Sequence, residues 1–362
     1  MKLNIEQLEN KRLCALCQDP EISLAYDNYY KDSNIDRGEM ISILNISKDN
    51  GGVDKTEIKD LRRITRVSNM PEYVRILAND IIFPNIANKT GSVSAVFGIN
   101  EVYPESNFTI LVDKWFYGKD RPKTDYEYKQ VNGTLFINGI SSSDINQGYC
   151  GDCYLFASLS SLADKSPKLI RSMFISNEDN TWTVRFFKKN DNNYVADYIT
   201  VDKFLPVFPD GSPVYERFGS NYLNRSNELW PALIEKAYAQ WNETGNTERP
   251  DKTNSYDAIS GGWSELASAH LSGFAFRTIW DIPNAKNFII SEINSKKPVV
   301  AYRFMNAEHT AAHAYYVKSY SNDIFTLINP WGFADVNLTW EEFKVECYGF
   351  VTIKSYPPII IN

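Results

Sequence analysis

Apolar residues recur at three- and four-residue spacing, with charges between them, in EIKDLRRI (57–64) and EYVRILANDII (72–82), which predicts amphipathic helices. Residues 1 to about 85 therefore read as a helical domain. From 86 to 130 the chain turns rich in Asn, Gly, Ser, Pro and Tyr, the composition of a connecting segment with short strands or a single helix turn around LVDKWF (111–116). The small-residue and apolar run YLFASLSSLA (154–163) predicts a buried helix. Alternating segments TWTVRFF (181–187) and NYVADYITVD (193–202) predict strands, LWPALIEKAYAQW (229–241) a further helix, and PVVAYRF, AHAYYVKSY and DIFTLINPW strands again. The pattern is α+β, with a helical part over 131–260 followed by a mostly β part over 261–355.

A chain of 362 residues has room for two or three domains, and its 43% hydrophobic content can bury a core without disulfides or metals. Acidic residues outnumber basic ones, 45 to 38, for a net charge of -7 with no basic cluster, which argues against nucleic acid as a partner. No run approaches about 18 apolar residues, and the opening MKLNIEQLENKRL carries charges where a signal peptide needs an apolar region. We therefore expect no membrane insertion and a cytoplasmic location, with export independent of such a signal compatible with the same pattern. Five cysteines, at 14, 17, 150, 153 and 347, are too sparse for a disulfide scaffold, so at least one thiol should be free.

Cys153 directly precedes the predicted buried helix. Helix amides, the positive end of the dipole and a nearby imidazolium would stabilise its thiolate, taking the pKa from about 8.5 to about 3.5–7.5. The chain has three histidines, His270, His309 and His313. His313 opens the strand AHAYYVKSY, and Asn329 follows 16 residues later at the end of the next strand. Two adjacent antiparallel strands would bring the Asn329 amide to one ring nitrogen of His313, aim the other at sulfur, and let Trp331 shield the bond from water. Gln147, six residues before Cys153, is the candidate side-chain donor to the oxyanion, with the Cys153 amide as second donor.

Other readings compete. Cys153 could be a buried small hydrophobe, Cys150 its redox or disulfide partner, and His309 the base in place of His313. His270 lies on an apolar stretch that suits a satisfied core or surface side chain. Cys14 and Cys17 have no second pair or nearby histidine to complete a metal site. The stretches 34–39 and 52–57 look like second halves of EF-hand loops, but Asn28 and Ile46 stand where the leading aspartate belongs. Glu39 and Glu57 are also only 18 residues apart, so capped helix starts describe both stretches better than calcium loops.

QGYCGDCYLFASL (147–159) resembles the cysteine motif of the papain superfamily, and its Gly-Asp-Cys-aromatic core is similar to calpains (family C2). NELWPALIEKAYAQW, SYDAISGGW, VRFF with YITVDKFLP, HAYYV and NPWG occur in calpain order, over about 130 to 355. The front region, through DRGEMI and VDKTEIKDL, resembles bacterial calpain-like proteases more weakly. The resemblance implies a papain-like two-lobed core (131–355), with Cys153 on the α lobe and His313 and Asn329 on the β lobe, cleaving peptide bonds of proteins. It makes Cys150 structural.

Family membership also implies calcium in each lobe. In the first lobe the matching ligands are the backbone oxygens of Ile137 and Gly139 and the carboxylates of Asp144 and Glu228, although either acid could instead cap a helix or hold a salt bridge. In the second lobe the short, carboxylate-poor GFADVNLTW (332–340) argues against a site, so calcium is expected in the first lobe only. The C2-like and penta-EF-hand domains of large animal calpains are not expected, and the front domain would serve an inhibitory or anchoring role released by cleavage near Lys119 to Lys123. Functional alternatives are acyl transfer of the transglutaminase type and a catalytically silent peptide-binding module.

Overall fold

A computed structural model of the protein describes residues 17–90, 93–94, 102–305 and 311–354. It divides into two compact units, Met1–Asp120 with Tyr198–Thr200, and Arg121–Asp197 with Val201–Asn362.

The first unit carries helices Pro20–Tyr29, Arg37–Ile46, Lys55–Val67, Glu72–Ile82 and Glu105–Tyr117. Asp36 and Asp54 cap the second and third of these, each in a reciprocal box with Glu39 and Glu57. The capped-start reading of 34–39 and 52–57 is thus what the backbone adopts. Gly52 and Val53 pair antiparallel with Pro104 and Tyr103, and a Cβ on Gly52 would lie 2.2 Å from the Tyr103 carbonyl oxygen, so the close approach requires glycine. The expected single turn around 111–116 is corrected: the helix there runs 13 residues. Polar Asn107 and Thr109 obscure its periodicity, yet Phe108, Leu111, Val112, Trp115 and Phe116 share one face and are all buried.

In the second unit the Cys153–Lys165 helix packs against the Ser264–Ser272 helix and the Ala312–Ser321 strand. Its serines allow this close contact. Ser161 Oγ accepts the Val299 N–H at 2.8 Å, and Ser158 Oγ donates to the Tyr154 carbonyl. The Trp230–Asn242 helix is buried along its whole length.

The six strands of the antiparallel sheet follow the order Phe276–Ile279, Cys347–Ile353, Val299–Phe304, Ala312–Ser321, Ile324–Ile328, Val336–Thr339. Alternation divides their side chains between two faces. Val299, Ala301, Val317, Phe325 and Leu327 form a core with Ile289 and Ile293 of the Lys286–Asn294 helix and Phe343 of the Trp340–Glu346 helix. Val300, Tyr302, Ala314 and Val351 instead meet Ala157 of the Cys153 helix, and Cys153 packs against this second cluster. Each such fully buried aliphatic or aromatic side chain is worth roughly 1.5–3 kcal/mol, so the seam that joins the cysteine helix to the histidine strand is part of the core.

Candidate active site

Cys153 is the first residue of its helix and is partly exposed. Asp152 occupies the N-cap position, but its side chain makes no capping bond. The segment before it is forced into place by Gly148, where a Cβ would lie 1.8 Å from the Tyr215 carbonyl oxygen. The Gln147 backbone N–H donates to the Pro330 carbonyl at 2.7 Å, which ties the cysteine segment to Asn329-Pro330-Trp331.

Expectation and structure differ over the thiol. Burial pushes Cys153 up to about 11, and the Asp152 charge adds to it. The amides of Ala314, Tyr154 and Cys153 pull the other way but are outweighed. The low value expected from a helix start is opposed here by desolvation and an adjacent carboxylate, which act against the dipole.

His313 is buried at the start of its strand, directly across the ladder from Arg303. Its Nε2 lies 2.9 Å from Asn329 Oδ1. That oxygen also accepts the Trp331 N–H at 3.1 Å, so it acts as acceptor, and Nε2 carries the imidazole proton. Nδ1 is left with its lone pair. The Trp331 ring lies 4.6 Å from the imidazole, centroid to centroid, and Asp335 Oδ1 accepts the Asn329 N–H at 2.9 Å. Strand pairing of Tyr316 with Ile328 is what delivers Asn329, one residue past its strand, to His313.

Burial lowers the His313 pKa below its usual value. The Asn329 bond opposes this and the Arg303 charge reinforces it. Arg303 is held in turn by Glu346, with contacts of 2.7 and 2.6 Å. Neutralising Arg303 removes a positive charge that disfavours imidazolium, so Arg303→Met should move the acid limb of kcat/KM to higher pH. A limb that stays put or moves down would assign it to another group.

Gln147 is buried, and its Nε2 donates to the Cys150 carbonyl at 2.8 Å and to Asp152 Oδ1 at 3.3 Å. Cys150 and Cys153 are both free thiols, and Cys150 Sγ reaches the Tyr256 carbonyl at 3.3 Å. His270 lies in the core, its Nδ1 2.9 Å from Tyr238 Oη, and burial lowers it to about 3, so it is neutral. His309 and Cys14 lie outside the described residues.

The four calcium-ligand candidates come together around one loop. Glu228 Oε1 accepts the Ile137 N–H at 2.7 Å, and Asn138 and Gly139 both have left-handed backbone, with φ of 55° and 114°. Asp144 Oδ2 accepts from Ser141 N at 2.8 Å and Trp230 Nε1 at 3.3 Å. Burial raises the pKa of both acids; the Asp164 charge adds to it at Asp144, and the Asp144 charge adds to it at Glu228. Two partly buried carboxylates that repel each other beside a turned loop fit a hard cation.

Sequence reasoning missed a group of buried carboxyls behind Gln147, namely Asp152, Glu216 and Glu235. Asp152 was visible only as part of the cysteine motif. Glu235 offered one signal, a charge inside a helix too apolar to have a solvent face.

A thiol at a helix start, beside a strand whose imidazole has its tautomer set by an amide, is the set of groups that nucleophilic thiol chemistry requires. Residues 115–347 match the model of the calpain family cysteine proteases, and the chain belongs to that family. It is 28% identical to a thiol protease of Porphyromonas gingivalis over 242 residues, 59% of this chain and 49% of that protein. It is 25% identical to human calpain-9 over 276 residues, 68% of this chain and 37% of the relative. The maize calpain-type cysteine protease DEK1 is 31% identical over 144 residues, 39% of this chain and 6% of its own. The chain thus spans about half, or less, of the length of these curated relatives. Among the described residues no helix is long and apolar enough to cross a membrane.

Proposed function

We propose that the protein is a cysteine endopeptidase that cleaves peptide bonds of proteins through an acyl-enzyme, on a papain-like core of two lobes. The bond between His313 Nε2 and Asn329 Oδ1 carries this reading, because it leaves Nδ1 unprotonated on the strand beside Cys153. In the first half-reaction Nδ1 takes the thiol proton, sulfur attacks the scissile carbonyl, and the imidazolium gives that proton to the departing amine. In the second, water attacks the thioester with His313 again as base, releasing the acid and restoring the thiol. The Cys153 amide is the first proposed oxyanion donor, and Gln147 Nε2, whose two hydrogens go to the Cys150 carbonyl and Asp152 Oδ1 in the resting site, would join it by giving up one of these bonds to the oxyanion.

Calcium is proposed as a regulator held by Ile137, Gly139, Asp144 and Glu228, where its charge would relieve the repulsion between the two acids. Casein or a fluorogenic peptide should be hydrolysed by the purified chain, several-fold faster in millimolar calcium than in chelator. Glu228→Gln should weaken that response. Equal rates in calcium and chelator would remove calcium from the proposal, and absence of hydrolysis in both would remove the protease.

A further inference from the structure

Behind Gln147 lie three carboxyl side chains in a fully buried setting. Asp152 has no exposed surface, Glu216 and Glu235 are each 1% exposed, and Gln147 is 3% exposed. A carboxylate oxygen of Asp152, one of Glu235 and the Cys150 sulfur lie within 4.8 Å of one another. Glu235 Oε2 accepts the Glu216 N–H at 2.9 Å, and Glu216 Oε1 accepts the Asn146 N–H at 3.2 Å. Asp152 Oδ2 and Glu235 Oε1 have no conventional donor among the described residues. One proton held between the two carboxyls supplies what both lack, and burial favours keeping it there.

This matters because Gln147 Oε1 also has no partner among the described residues. The amide is therefore held only through Nε2, by the Cys150 carbonyl and by Asp152. We propose that Glu235 is a positioning residue: its neutral carboxyl donates to Asp152, which in turn fixes the Gln147 amide and sets the charge beside Cys153. The proposal rests on the protease reading of Cys153 and Gln147. Other titratable or charged groups facing the pair are Glu216, Cys150 and Cys153, with Tyr154, Tyr215, Tyr238, Tyr256, Asp257 and Arg249 around them.

Two variants of the full chain separate this role from simple core filling. Glu235→Gln keeps a neutral donor of the same shape, and Glu235→Leu removes it. Per active site titrated with a thiol-reactive epoxide, E235Q should keep kcat within about threefold of wild type, whereas E235L should lose about 10- to 100-fold with KM little changed. A second readout needs no turnover, namely the pH dependence of Cys153 alkylation by iodoacetamide, followed on the Cys153 peptide by mass spectrometry. Without its donor Asp152 takes up the proton itself, so the E235L midpoint should fall while E235Q stays near wild type. Wild-type kcat per site and an unchanged midpoint in E235L would overturn the proposal. So would a folded E235Q that has lost kcat, which decides the matter if E235L does not fold. Absence of wild-type hydrolysis would strike the protease reading, while the alkylation arm still tests the coupling of Glu235 to Cys153.

Discussion

Cys153→Ala is expected to remove peptide hydrolysis, with a loss on the order of 10⁴-fold or more, while leaving the fold intact. Acyl-enzyme chemistry needs a sulfur at the helix start, and the other described thiols of this unit are badly placed for it. Cys150 and Cys347 are buried, with their thiols pushed up by burial. Removing a covalent nucleophile leaves only the contribution of binding and oxyanion donors. Alanine is the best helix former and Cys153 is only partly buried, so the thermal midpoint should move by a few degrees at most. The measurement is turnover of a fluorogenic peptide together with epoxide labelling, which should also vanish. Hydrolysis that survives in C153A at more than about 1% of the wild-type rate would sink the assignment.

The strands and the Cys153 helix were legible in the sequence because their periodicity is local. Alternation in AHAYYVKSY is the alternation that faces Ala314 to the helix and Val317 to the other core. The antiparallel neighbour that brings Asn329 to His313 could be anticipated, since only a few residues separate the two strands. What was not legible depends on encounters between distant residues. Nothing in the sequence says that Asp152, Glu216 and Glu235 meet, and their meeting sets the charge next to the thiol. The low thiol pKa expected from the helix start is opposed first by burial of the sulfur and then by the Asp152 charge, and a helix start can be read locally whereas desolvation cannot. The Glu105–Tyr117 helix was underestimated for a milder version of the same reason. Its apolar face is completed by burial against partners remote in sequence.

The raised thiol makes a sharp prediction for the base. With burial holding the Cys153 thiol well above its usual value, very little of it would be ionised at pH 7 without a proton acceptor. His313→Ala should therefore lose on the order of 10⁴-fold at pH 7. Its residual rate should climb about tenfold per pH unit as the thiol ionises by itself, in place of the wild-type plateau. Added imidazole should restore part of the rate at neutral pH. Asn329→Ala should be milder, on the order of 10²-fold, because the base remains but its ring is free to turn and either nitrogen can carry the proton. The two variants thus separate having a base from aiming it. Should H313A keep a tenth of the wild-type rate at neutral pH, or show a flat profile between pH 7 and 9, a group other than His313 takes the thiol proton.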